Sequence, residues 1–153
     1  MATMTPRDLT CQSMDEILAE VDRLHANGYD RAGKWDLAQN LDHLRYFIEG
    51  GLDGFNFKVP WIIRFLLAKP VLRRILSQNK MKRGVYTPQK PLPPPGLNEA
   101  EAVAKFKAAV HRFQNHSGEY LPSPFFGQLT REQCQQLMLI HCNHHLGYLI
   151  PKS

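Results

Sequence analysis

Four times along this chain a capping side chain stands three residues ahead of Glu or Gln: Ser13 with Glu16, Asp36 with Gln39, Asn98 with Glu101, and Thr130 with Gln133. In that arrangement the first side chain accepts from an otherwise unpaired backbone N–H, and the Glu or Gln can reach back to the cap. Apolar residues at helical spacing follow each pair, so each marks a helix start. The first helix is expected from Ser13 to Asn27, with Ile17, Leu18, Val21 and Leu24 on one side and Gly28 just past its end. The second runs from Asp36 to about Asp53 and carries Leu37, Leu41, Leu44, Phe47 and Ile48. The third starts at Asn98, with Val103, Phe106, Val110 and Phe113 as its stripe. The fourth, from Thr130 to about Leu149, is apolar nearly all round, which predicts that it lies deepest. No stretch alternates with period two. The fold class is all-α, and a four-helix bundle is the simplest way to bury four such stripes.

Between the second and third helices lies a long crossover, residues 58–97. It holds a short helix from Trp61 to about Asn79, expected to bend or break at Pro70. The run "TPQKPLPPPG" after it cannot be helical and is expected to be extended. A connection this long permits the next helix to start at either end of the bundle. Trp61, Phe65 and Leu66 are expected to be buried as anchors that hold the crossover down.

A chain of 153 residues is the size of one domain, and residues 1–153 are read as a single one. Its N-terminus has no apolar core of a signal peptide, and "VPWIIRFLLA" is far short of a membrane span. Three cysteines, Cys11, Cys134 and Cys142, fit reduced thiols better than a disulfide framework, which points to the cytoplasm. The net charge of +5 is uneven: residues 58–90 hold nine Lys or Arg and no Asp or Glu. The rest of the chain is net acidic. A nucleic-acid partner is therefore not expected, and the basic segment reads as a solvated flap rather than a membrane contact.

Near the C-terminus "HCNHHLGY" puts three histidines into five positions. His141 and His145 are four apart, so both leave the same helical face one turn apart, where two imidazoles can reach one metal ion. Two ligands rarely suffice, and His43, in the middle of the second helix, is the natural third across a bundle core. His144 lies on a neighbouring face and should not ligate. His25, His111 and His116 fall at or near helix ends and read as solvent-facing. Tyr148, Asn143 and Gln39 are candidates for outer partners of the cluster.

"WDLAQNLDHL" together with "LMLIHCNHHLGYLIPK" resembles the DinB/YfiT-like superfamily. Within it the chain is similar to a domain family of unknown function, through Met81–Gly84 ("MKRG"), Phe126–Thr130 and "HHLGYLIPK" at His144–Lys152. The resemblance implies a four-helix bundle in up-down-down-up order, with a divalent metal on His43, His141 and His145. It also implies a histidine before "P-x-F-G", where this chain has Ser123, and a tryptophan early on the last helix, where it has Cys134.

Three neutral imidazoles leave a divalent ion with open positions, at which water or a thiol is acidified. The residues between His141 and His145 are Cys142, Asn143 and His144, so this is not H-E-x-x-H and no carboxylate in the motif serves as base. The superfamily includes metal-dependent enzymes that use low-molecular-weight thiols. The resemblance thus implies a metal-dependent enzyme transferring or activating a thiol on a small-molecule substrate, with zinc, nickel or iron bound and a thiol as possible cosubstrate. A metal-activated hydrolase and a non-catalytic bundle, with a structural metal or docking through residues 58–90, are the alternatives. A homodimer is compatible with all of them.

Overall fold

The computed structural model describes residues 4–84 and 92–153. It is mostly helical, with five helices and one small sheet: α1 (Met14–Asn27), β1 (Tyr29–Arg31), α2 (Leu37–Asp53), α3 (Trp61–Gln78), α4 (Glu99–Asn115), α5 (Arg131–Leu146) and β2 (Leu149–Pro151). The four caps fall where the sequence places them. Ser13, Asp36, Asn98 and Thr130 each accept from the backbone N–H three residues on. Only Asp36–Gln39 and Thr130–Gln133 are reciprocal. Glu16 bonds instead to the N–H of Gln12, one residue further out, and Glu101 is drawn to Lys105.

The core joins one stripe from each of α1, α2, α4 and α5: Ile17, Val21 and Leu24; Leu41, Leu44 and Ile48; Phe106, Val110 and Phe113; Cys142 and Leu146. Burying each large apolar side chain stabilises by roughly 1.5–3 kcal/mol, so these stripes carry the fold. The deepest helix is α2, not α5. Nine of its residues are buried, including Gly50 and Gly51, against five in α5. The polar half-turns Arg131–Gln136 leave α5 partly in water, which outweighs its apolar second half.

Side chains tie the helix ends together. His25, at the end of α1, lies 2.7 Å from Glu99 at the start of α4. Gln114, at the end of α4, donates to Asp15 at the start of α1. Arg112 near the end of α4 grips Asp53 at the end of α2 with two hydrogen bonds. The Tyr29 hydroxyl donates to Glu99 at 2.9 Å and accepts from the N–H of Leu37 at 2.9 Å, pinning the start of α2 beside the start of α4.

Two features depart from the sequence reading beyond the depth of α5. The last helix stops at Leu146, because Leu149–Pro151 pairs antiparallel with Tyr29–Arg31. Three residues per strand are too few to show alternation. The second departure is larger. α3 runs unbroken through Pro70, and its expected anchors are out in solvent: Trp61 is 71% exposed, Phe65 77% and Leu66 61%. Only Ala68, Leu72, Ile75 and Leu76 are half-buried, on a line that faces α5, where Gln136 bonds to the Leu76 carbonyl. After α3 the chain is non-helical over 92–98; the expected extended run 87–96 falls in part outside the described residues, as do positions 85–90 of the basic segment.

Candidate metal centre

His43 stands mid-way along α2 and is buried between Trp35 and Phe47, their rings 5.1 and 5.0 Å from its own. His141 and His145 project from one face of α5, their rings 4.8 Å apart. Across the core the His43 ring comes within 5.1 Å of His141 and 4.4 Å of His145. The three residues named from spacing are therefore brought together, and their potential ligand atoms all lie within 4.8 Å of one another. Among the described residues no fourth His, Cys, Asp or Glu joins them.

The tightest approach is Nε2 of His43 to Nε2 of His141, 3.2 Å. Read as a hydrogen bond, it needs one ring to donate and leaves the other nitrogen pairs without a use. Read as two ligands of one ion, it fits: nitrogens each about 2.0–2.1 Å from a tetrahedral metal stand about 3.3 Å apart. The donor set is neutral, as metal binding requires. Burial pushes His43 down to about 4, and drives His141 and His145 well below the ordinary histidine value, with the neighbouring rings adding to the effect. No proton competes for these nitrogens near neutral pH.

Trp35 is the residue that sequence reasoning did not assign to the cluster. Its indole lies nearly parallel to the His145 ring, 5.7 Å away with 11° between planes, and packs on His43 as well. It precedes the Asp36 cap, so the capping box that starts α2 also fixes where the indole lies. The proposed outer partners are occupied elsewhere. Gln39 is spent on the capping box and the Pro93 carbonyl, and Asn143 on both backbone groups of Cys11. Tyr148 packs on His144 and lies under the Arg83 guanidinium. His144 itself lies outside the cluster, in a cleft of about 300 Å³ shared with Asp8, Lys80 and Arg83. Of the other histidines, His25 and His111 are exposed, and His116 is half-buried against Tyr120.

Aromatic rings continue away from the cluster in a chain, Phe47 to Phe55 to Phe57 to Phe125. Gly50 permits this, because a Cβ there would run into the Phe55 ring. At the far end Ser123, where a histidine was expected, accepts from the N–H groups of Phe125 and Phe126 at 3.2 Å and holds their turn. Cys134 is half-buried against the core, and all three cysteines are free.

The fold and the cluster define a helical protein with three neutral histidines, two buried and one half-buried, gathered between two of its helices. The chain belongs to the family described as a protein of unknown function (DUF1569), which it matches over residues 3–152. No curated protein and no solved structure matches it.

Proposed function

We propose that this protein is a divalent-metal-dependent enzyme acting on a small molecule, with His43, His141 and His145 as ligands and the transfer or activation of a thiol as its chemistry. One observation carries the reading: three imidazoles, kept neutral by burial, bring their potential ligand atoms within 4.8 Å of one another. All-nitrogen ligation suits zinc, nickel or iron alike. When bound, such an ion supplies Lewis acidity that acidifies a water or a thiol at an open position.

The chain's own residues do the rest. His43, His141 and His145 hold the ion and leave positions for a substrate, since a catalytic site keeps such a position where a structural one is closed by a fourth protein ligand. Trp35 and Phe47 fix the planes of the rings and keep water from their faces. Among the described residues no carboxylate lies in the cluster to act as base. A thiol ionises more readily than water, so a site without a base suits a thiol nucleophile.

The same reading takes α1, α2, α4 and α5 as an up-down-down-up bundle of the DinB/YfiT-like kind. Four ties support it: α1 and α4 are joined start to end at both of their ends, and α2 and α4 are joined start to start and end to end. Opposed and parallel directions follow, and the crossover through α3 supplies the length a parallel pair needs.

Crystals of metal-loaded protein soaked with a small thiol test the site. The expected result is a sulfur atom on the metal beside three histidine nitrogens. A fourth protein side chain completing the coordination would replace the catalytic reading with a structural one.

A further inference from the structure

The first two turns of α3 are apolar on every side but that of Arg64, and their apolar side chains are uncovered. Trp61 and Phe65 continue the line of Ala68, Leu72, Ile75 and Leu76 beyond the part that α5 covers, and Ile62, Ile63, Leu66 and Leu67 share the rest of the circumference with Arg64. All six large side chains from Trp61 to Leu67 other than Arg64 are exposed. Water disfavours this arrangement, so something apolar accounts for it. The next turns change character on the outer face: Lys69, Arg73 and Arg74 follow Ile62 and Leu66 at helical spacing, all of them exposed. Among the described residues Lys58, Arg64, Lys69, Arg73 and Arg74 form no ion pair, whereas Lys80 and Arg83 pair with Asp8.

We propose that the tip of α3 is a docking surface for an anionic lipid bilayer, with Trp61, Phe65, Leu66 and Leu67 entering the acyl boundary and Lys69, Arg73 and Arg74 meeting the headgroups. Three observations select this occupant. Apolar exposure on every side but that of Arg64 suits a fluid apolar phase, whereas a protein groove takes one face of a helix. Polarity changes along the helix axis, so a tip can enter while the band behind it stays at the charged surface. Finally, a second copy meeting tip to tip would set Arg64, Lys69 and Arg73 against the same cations, which is repulsive in an isologous contact. Among the described residues no helix is long and apolar enough to cross a membrane, so the proposed contact is interfacial. The flap expected from sequence to be held down on the bundle by Trp61, Phe65 and Leu66 is, at its apolar end, not held by them.

Flotation of the full chain with vesicles tests this, comparing equal parts of phosphatidylserine and phosphatidylcholine with phosphatidylcholine alone. The expected result is retention on the anionic vesicles only, lost at high salt, with a blue shift of tryptophan emission. The chain has two tryptophans, and Trp61→Phe should remove the shift, leaving Trp35 unchanged. Arg73→Glu with Arg74→Glu should weaken partitioning by at least about tenfold, since each basic residue near an anionic surface contributes appreciably. Phe65→Ser with Leu66→Ser should abolish retention without moving the melting temperature, because neither side chain is packed. Failure to bind anionic vesicles at low salt, or retention indifferent to both pairs of substitutions, would overturn the proposal. So would self-association of the wild type that Phe65→Ser with Leu66→Ser abolishes, which would make a second copy the occupant.

Discussion

Around His43, groups able to carry charge are shut away from water, whereas from Trp61 to Leu67 groups that water disfavours are held out in it. Both regions run against the ordinary sorting of side chains, and they do so by different means. The histidines are paid for by the packing around them: α2 brings nine buried residues, α5 brings five, and Trp35 and Phe47 pack on the rings. The tip of α3 has no such support, since its helix has no buried residue at all and rests on α5 through one half-buried line. A misfit held by a core points to a ligand small enough to enter it. A misfit held in solvent points to a partner too large to be enclosed.

The widest gap between the regions should appear in stability. Leu44 and Phe106 are fully buried, and Leu44→Ala or Phe106→Ala should cost about 2–5 kcal/mol in denaturant melts. Phe65→Ala, as large a truncation, should stay within about 0.5 kcal/mol. Equal losses would mean that α3 packs on the bundle in solution.

A pH titration of metal-free protein sharpens the contrast further. The three rings resist protonation in the folded state, while in the unfolded chain they take protons near about 6.5. The folded state thus binds fewer protons, so stability is complete above about 6.5 and falls as pH drops toward 4, at up to about 1.4 kcal/mol per pH unit for each ring. His43→Leu should flatten that fall, and Phe65→Ala should leave its slope unchanged. A wild-type stability curve flat from neutral pH down to 4 would mean that the cluster is open to water.

How far these regions could be read from sequence follows from the range of the forces involved. Caps at Ser13, Asp36, Asn98 and Thr130 are satisfied within three residues, so local chemistry was enough to find the helix starts. His141 and His145 were legible because the helical repeat puts them on one face, and His43 because the stripe it borders is buried. Trp35 was not legible: it lies in the link before α2, and only the tertiary fold brings it to His145. Nor was the exposure of α3. An apolar run shows that a surface is wanted, and nothing local to Trp61 says whether this chain provides it.

Smaller effects probe the seams. Gly147 approaches the Arg7 carbonyl so closely that a Cβ would stand 2.7 Å from it, with backbone on both sides. Gly147→Ala should cost about 1–3 kcal/mol in thermal melts and loosen the N-terminal segment that Arg7 ties to Leu149. Tyr29→Phe removes the hydroxyl between Glu99 and the start of α2, and should cost about 1 kcal/mol. The tyrosine ionises only near about 12, pushed up by burial, so this contribution should not vary across the range in which the histidines titrate.

The most direct test of the central claim is the metal content of the protein purified without a histidine tag and offered zinc, nickel or iron. One divalent ion per chain is expected for the wild type and for His144→Ala, with most of it lost in His43→Ala, His141→Ala and His145→Ala. A chain that takes up no ion, or one whose uptake depends on His144 and not on His145, would contradict the account.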